Sequence, residues 1–458
     1  MKQKKEYMDL AVYAAELAKK SGADAAEAYI TDSNEVSIDV SNREVELVNS
    51  SSDAGIGIRV LKDQKMAFGT SNDLSKSSIK DMVLNLIHKV PFHTSDEFNV
   101  IPGKEFGYLE GDWSRYTDLL SYDPKIEAVS VQDKIKRAIL IEASALDYSP
   151  KVAGVMRVRY LDQESYAYLA NSNGIAGCFP TSGCGGFANV RAVEGNDSQS
   201  GTQFGIKVKY DDFDPVWVGK RAAEKAIGML GAKPIKSCEV PMVVSPEVGT
   251  PLFGYIVGML DADLVQKGKS LFADKVGERV AADIFTLVDD GKLKGGLSTN
   301  PVDREGIPRQ ATPLLVNGVL KTYLYDCYTA HKGKTHSTGN RTGGSYRSIG
   351  GIGSTNLYFP QGEMNPEDIL KGIKDGFYIT VAFGLHAGID DISGDFSIPA
   401  AGFKIEGGQK TYPIRGINIG GNLFDFLKSI DRVGNDMTWV QSIGCPTFSV
   451  ESIKIGGV

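Results

Sequence analysis

The sequence predicts an α+β protein: an N-terminal α/β, sandwich-like domain over residues 1–232, followed by a mostly antiparallel β domain over residues 233–458. Three observations carry this reading. Runs with helical spacing concentrate in the first half. Asn-Gly and Gly-Gly pairs separate period-two stretches, which is the hairpin signature. The 52 glycines against 18 prolines show no period, so they suit tight turns and not a collagen-like repeat.

Leu10, Tyr13, Ala14 and Leu17 recur at helical spacing, and Ser21-Gly22 ends that first helix. Val36, Ile38 and Val40 alternate with polar residues, as do Ile56, Ile58 and Val60, so each set marks a strand. Asp63-Gln64 turns the second strand back through Met66–Phe68. Ile79, Met82, Val83, Leu86 and Ile87 give Ser77–His88 one apolar helical face. Residues 91–125 lack a period and read as a long connection, and a helix near Val131–Leu146 follows. Asn173-Gly174 and Gly195-Asn196-Asp197 set the turns of an antiparallel meander over 152–210. Asp214-Pro215 combines an N-cap with proline at the first helical position.

Lys233–Glu239, with Pro234 inside it, marks the domain boundary. Beyond it, Thr250-Pro251 is expected to open a helix through Phe253, Val257 and Leu260. Asn317-Gly318 and Gly407-Gly408 are hairpin turns, while Asn365 and Asn422 are expected caps of short helices.

The formal net charge is −7, so the whole chain lacks the basic footprint of sequence-independent nucleic-acid or anionic-lipid binding. Five cysteines, odd in number and widely spaced, form neither a disulfide framework nor a CxxC zinc pattern. A reducing cytoplasm is the expected compartment. The N-terminus lacks an apolar h-region, and no run is long and apolar enough to span a membrane.

Motif tests are mostly negative. Gly333-Lys334-Thr335 and Gly268-Lys269-Ser270 end like phosphate loops, but Tyr328 and Asp263 replace the upstream glycine that lets backbone wrap a phosphate. None of the five histidines is followed by Glu, so no HExxH helix can form. Cys327, His331 and His336 are the best metal-like cluster, set in what reads as a Lys- and Gly-rich turn. Asp390, Asp391 and Asp395 lack calcium-loop spacing and read as turn and cap acids. The residues by themselves show no catalytic constellation.

The order of short blocks after Val243 adds a different kind of information. These are Lys267-Gly-Lys-Ser-Leu-Phe272, Val276-Gly-Glu-Arg-Val280, Val288-Asp-Asp-Gly291, Asp303-Arg-Glu-Gly306, Thr338-Gly-Asn340, Ile392-Ser-Gly-Asp395, Tyr412-Pro413, Gly434-Asn-Asp-Met437 and Ile455-Gly-Gly457. Their order and spacing resemble the TldD/PmbA family, whose members also carry the label of DNA gyrase modulators. The first half resembles it more loosely, through its helix, its strands and Gly55-Ile-Gly-Ile-Arg59. The family has a zinc metallopeptidase branch, with a HExxxH helix completed by a cysteine near the C-terminus. Its PmbA/TldE-type branch lacks that set and pairs with the first.

Counting back from Lys267-Gly268, the resemblance places the HExxxH positions on Phe253, Gly254 and Gly258. A phenyl ring and two glycines supply neither a zinc ligand nor a general base. Cys445 falls where a shortened loop rejoins the chain, outside the family's ligand position. The resemblance therefore implies the metal-free branch: no cofactor, no catalytic residue and a cytosolic role in processing short unfolded peptides. The implied partners are a zinc-bearing TldD-type subunit or a second copy of the chain, together with an extended peptide held at a sheet edge. Thr338, Gly339, Asn340, Gly384 and Gly388 are the expected groove residues. The alternative is a non-catalytic, homodimeric peptide-binding or regulatory protein. Neither reading involves nucleic acid or membrane.

Overall fold

A computed structural model of the chain describes residues 2–109 and 113–457. Its first half runs α1 (Lys2–Lys20), β1 (Ala25–Ser41), β2 (Glu44–Lys62), β3 (Lys65–Ser71) and α2 (Lys76–Lys89). After the connection come α3 (Lys125–Ala128), α4 (Val131–Leu146), β4 (Val152–Asn171), β5 (Ala176–Glu194), β6 (Asp197–Lys207) and α5 (Pro215–Gly228). Of the connection expected over 91–125, residues 110–112 lie outside the described set.

The six strands form one antiparallel sheet in the order β3-β2-β1-β4-β5-β6. The side chains of Ser75, Ser130 and Asp214 accept backbone N–H groups at the starts of α2, α4 and α5, so the capping chemistry operates. All four long helices cover a single sheet face. Leu10, Ala14 and Val83 meet Ile30, Ile56 and Tyr168 at one end. Ile141, Val218 and Ala222 meet Ile38, Tyr160 and Val190 at the other. A two-layer α/β sandwich results, as the periodicity predicts.

The strands are much longer than their alternating stretches. Ala25–Thr31 of β1 is buried on both faces, so alternation vanishes there. The turn between β1 and β2 also lacks a glycine signal. Asn42 and Arg43 take φ of 56° and 62°, a left-handed conformation that costs a non-glycine residue about 1–2 kcal/mol. Glu142 of α4 holds it: its Oε1 accepts from Asn42 N at 3.0 Å and its Oε2 from Arg43 N at 2.5 Å.

The second half begins with β7 (Cys238–Val244), α6 (Pro246–Gly258), α7 (Ala262–Gln266), β8 (Leu287–Asp290), β9 (Ala311–Val316) and β10 (Val319–Leu320). Next are α8 (Cys327–Gly333), β11 (Arg341–Thr342), β12 (Gly351–Ile352), β13 (Leu357–Tyr358), α9 (Pro366–Lys371), β14 (Asp375–Ala382) and α10 (Leu385–Gly388). It ends with β15 (Asp395–Glu406), β16 (Gln409–Asn422), α11 (Leu423–Lys428), β17 (Ile430–Val433), β18 (Thr438–Val440), β19 (Ile443–Cys445) and β20 (Phe448–Gly456).

Strands β16-β15-β14-β7-β20 pair in sequence, and β16 pairs again with β20, so five strands close a ring around Met242, Val244, Ile398 and Ile419. A second sheet runs β10-β9-β8-β13-β19-β18. Its pairings are antiparallel except β13–β19, and those of the ring are antiparallel except β7–β14. Closure removes the edges of the five-stranded ring, while β10 and β18 remain the outer strands of the second sheet.

Two local expectations need correction. Helix α6 starts a turn early, at Ser245-Pro246, which carries the same Ser/Thr-Pro start chemistry as Thr250-Pro251. Pro251 then sits inside the helix on its exposed side. The segment after Cys327 is a helix and not a turn, because Asp326 and Thr329 form a reciprocal capping box.

We predict that Glu142→Ala destabilises the protein by about 1–3 kcal/mol, through the loss of two part-buried hydrogen bonds to a charged acceptor. Urea denaturation checks this; an unchanged midpoint would show that the turn needs no such support.

Candidate functional site

Helix α6 carries the positions that the family resemblance assigns to zinc chemistry. Phe253 is fully buried, its ring 5.5 Å from Phe448, 5.4 Å from Phe285 and 5.7 Å from Phe359. It is a centre of the core, turned away from solvent. Gly254 lies under Ile443, whose Cδ1 would be 2.7 Å from any added Cβ. Gly258 is exposed, with open space around it. Cys445 packs against Gly249, a turn before Phe253, where an added Cβ would meet its Sγ at 2.4 Å. Burial raises the Cys445 thiol pKa well above the ordinary range, which keeps it neutral. These residues do not fit a metal ion.

The outward face of α6 carries a hydrogen-bonded phenol. Tyr255 donates to Asp391 Oδ1 at 2.5 Å, and its ring lies 5.6 Å from that of His386 on α10. Burial, then the Asp391 hydrogen bond, pushes the Tyr255 pKa up to about 12, so the group stays protonated. Gly384, at φ 65°, borders open space in front of α10. Gly388 is pressed against Ser397 O of β15. Of the expected groove residues, only Gly384 faces free volume.

Thr338, Gly339 and Asn340 belong to another place. Thr338 and Asn340 are buried. Thr338 Oγ1 accepts from Tyr325 N at 2.8 Å, and Asn340 Nδ2 donates to Asp289 Oδ2 at 2.7 Å. Gly339 O accepts from Arg309 Nη1 at 2.9 Å. These bonds tie the block into the second half, beside its joint with the first, where it cannot line an open groove.

That joint is a buried ionic network, which sequence reasoning missed. Arg59 Nη2 of β2 lies 2.8 Å from Glu27 Oε2 of β1 and 3.3 Å from Glu305 Oε1. Arg304 Nη1 lies 3.0 Å from Glu27 Oε1, and its guanidinium sits 3.4 Å from the centre of the Tyr29 ring. Glu305 Oε2 accepts from Cys327 N at 2.9 Å. Burial raises the Glu27 pKa, but attraction to Arg59 and Arg304 outweighs it and the pKa ends below its ordinary 4.5. The block Asp303-Arg-Glu-Gly306 was visible in the sequence, but a run of charges gives no sign of being buried.

The metal-like trio of Cys327, His331 and His336 does not assemble. Cys327 is buried, whereas the His331 ring lies at the surface with Nδ1 3.3 Å from Phe98 O. Among the described residues, no group of three or more His, Cys, Asp or Glu side chains is placed to hold a metal ion.

A cleft of about 380 Å³ opens where the uncovered face of the first sheet meets the second half. Leu161, Gln163, Phe204 and Ile206 form one wall, and Leu297, Ser298, Gln441 and Ser442 the other. Gln441-Ser442 is the turn between β18 and β19, and the next residue, Ile443, is the one over Gly254. The cleft is thus one short hairpin away from α6. The outer strands β6 and β18 approach each other here, each paired on one side within its sheet.

Three sequence profiles match the chain along its length. Residues 26–89 match the PmbA/TldA metallopeptidase domain 1, residues 124–230 its central domain and residues 237–457 its C-terminal domain. The chain belongs to the PmbA/TldD family. The first two profile regions build a single sheet, since β1 pairs with β4. The chain is 27% identical to the metalloprotease PmbA of Escherichia coli O157:H7 over 95% of this chain and 93% of that protein. A crystal structure of a candidate modulator of DNA gyrase from Bacteroides thetaiotaomicron superposes with a TM-score of 0.89 at 26% identity, covering 98% of both chains. TldE from Thermococcus kodakarensis shares the fold, with a TM-score of 0.82 at 24% identity over 97% of this chain and 99% of that one. No described helix is long and apolar enough to cross a membrane.

Two predictions follow from this geometry. Phe253→Ala should destabilise by about 3–5 kcal/mol through the cavity left in the aromatic cluster; calorimetry checks it, and a loss below about 1 kcal/mol would contradict the burial. Glu27→Gln should cost roughly 3–5 kcal/mol at pH 7 by leaving buried arginines short of a counter-charge. Glu27 has a depressed folded pKa, so its stabilisation is present above its unfolded value of 4.5 and is lost as pH falls below it. The difference between wild type and variant should therefore shrink in acid; a pH-independent difference would show that Glu27 is not titrating as described.

Proposed function

We propose that this chain is a PmbA/TldE-type, metal-free subunit of a peptide-processing system, acting with a zinc-bearing relative. The observation that carries the reading is the residue set on α6. Phe253 is committed to the core, Gly254 and Gly258 lack side chains, and Cys445 is a neutral thiol behind Gly249. A metallopeptidase needs about three protein ligands and an open position, and α6 offers neither set of donors nor a general base.

The cleft beside α6 supports a role in holding substrate. An extended peptide adding to β18 or β6 would gain main-chain hydrogen bonds without demanding a particular sequence. Leu161, Phe204 and Ile206 would receive apolar side chains, while the flanking Gln163, Ser298 and Gln441 would accept polar ones. Unfolded peptides meet these requirements because their backbones are unpaired.

The purified chain is predicted to hold far less than one zinc per molecule and to show no chelator-sensitive cleavage of an unstructured peptide. Cleavage should appear, or rise strongly, when it is mixed with a relative carrying HExxxH. Metal analysis and a peptidase assay on each protein alone and on the mixture decide the matter. Stoichiometric zinc with activity in this chain, or a relative whose activity ignores its presence, would overturn the proposal.

A further inference from the structure

The face of the first sheet that no helix covers carries unpaired positive charge beside the cleft. Alternation along the strands decides which residues it shows. Ile38, Tyr160 and Val190 pack under the helices, so Asp39, Arg159 and Arg191 point the other way. The pairings Asp39↔Arg159, Arg159↔Phe187 and Phe187↔Phe204 set one row across this face. In the next row Arg157 stands opposite Asn189, and Arg191 follows Asn189 on the same face of β5. Arg157 and Arg191 are both exposed.

The acid in this neighbourhood is already used. Arg159 Nε and Nη2 bind the two oxygens of Asp39, each at 2.5 Å. These hydrogen bonds hold the Asp39 carboxyl below its ordinary range, and Arg157 adds attraction from further off. Among the described residues, neither the Arg157 nor the Arg191 side chain has a hydrogen-bond or ion-pair partner. Diagonal neighbours on adjacent strands stand about 7–8 Å apart, within reach of long side chains. Two like charges so placed repel, and an anion set between them replaces that repulsion with two attractions.

The pair adjoins the cleft through a continuous surface. Phe204 lines the cleft and stands opposite Phe187. Leu161, on the cleft wall, precedes neither arginine in space: Arg159 lies between it and Arg157 on the same face of β4. Resting on the peptide-holding reading above, we infer that Arg157 and Arg191 form a specificity site for an acidic side chain of the extended peptide. Four residues of β4 separate Leu161 from Arg157, roughly 14 Å. An extended peptide covers that span in about four residues, which sets the spacing between its acidic residue and the side chain seated on Leu161. Guanidinium forks match a carboxylate and hold it through paired hydrogen bonds. A nucleic-acid strand fits less well, because successive phosphates need a continuing basic track. Beyond Asn189 the next row is Gly154, Arg191 and Ser200, which adds only one cation.

Fluorescence anisotropy on the full chain tests this with labelled, unstructured peptides amidated at the C-terminus, so that side chains supply the only carboxylate. Each carries one leucine, with Glu, Gln or Lys about four residues to either side. The Glu peptide should bind about three- to tenfold more tightly than the Gln peptide at low ionic strength, and the Lys peptide most weakly. High salt should erase the difference. The double variant Arg157→Gln, Arg191→Gln should lose the preference and keep the wild-type affinity for the Gln peptide. Both side chains are exposed, and an unchanged melting temperature confirms that the variant is folded. Equal affinity for the Glu and Gln peptides, or a preference that survives in the double variant, would overturn the assignment and leave the peptide-holding reading standing. An oligothymidylate that outcompetes the Glu peptide in the wild type and fails to bind the double variant would give the patch to nucleic acid instead. Binding of no peptide at all would overturn both readings together.

Discussion

The two halves of this protein are joined by charge buried away from water. Glu27 and Arg59 come from adjacent strands of the first sheet, and Arg304 and Glu305 from a loop of the second half. Each charge loses its hydration in the joint and must be compensated by the others. That requirement fixes distances and angles far more tightly than apolar contact would, because a displaced carboxylate leaves a guanidinium unpaired. Tyr346 adds a steric lock. It lies over Gly55 and Gly57, where an added Cβ would come within 2.3 Å of its ring or its carbonyl oxygen.

Much of the second half hangs from this joint. Asp303 accepts backbone N–H groups from Glu305, Ile307 and Arg341, which shapes the loop that presents the charges. Glu305 caps the start of α8 through Cys327 N, and Arg341 binds Asp326 at the same helix end. The Thr338–Asn340 block is consumed in the same framework. By holding the uncovered sheet face against the second half, the joint also sets the width of the cleft between Leu161 and Ser442. The cleft is therefore a product of domain docking, and no single element contains it.

Helix α6 shows how a shared fold can carry different chemistry. Its packing side is filled by Leu252, Phe253, Ile256 and Val257, which anchor the ring of strands. In this chain the position that resemblance assigns to a ligand is occupied by an aromatic side chain packed against three other phenyl rings. On the other side Ile443 covers Gly254, and Gly258 alone borders open space. Such a surface can lie close to a peptide or a neighbouring subunit without offering it a reactive group.

The sequence by itself determined the fold class, most helix caps and the tight turns, because these depend on neighbours within a few residues. Asp214, Asn365 and Asn422 cap as expected, and Asn173-Gly174 turns where expected. It also carried the family, through the order of blocks along the chain, and the identities of Phe253, Gly254 and Gly258. Tertiary structure decided the rest. Strand lengths escaped the pattern because Ala25–Thr31 is buried on both faces. The start of α6 escaped because two Ser/Thr-Pro pairs offer equal caps, and packing selects between them. The ring of strands, the arginine pair on the uncovered sheet face and the buried ion network all join residues far apart in the chain. Burial of a charge or pairing of an edge is a property of what lies opposite, which local sequence does not record.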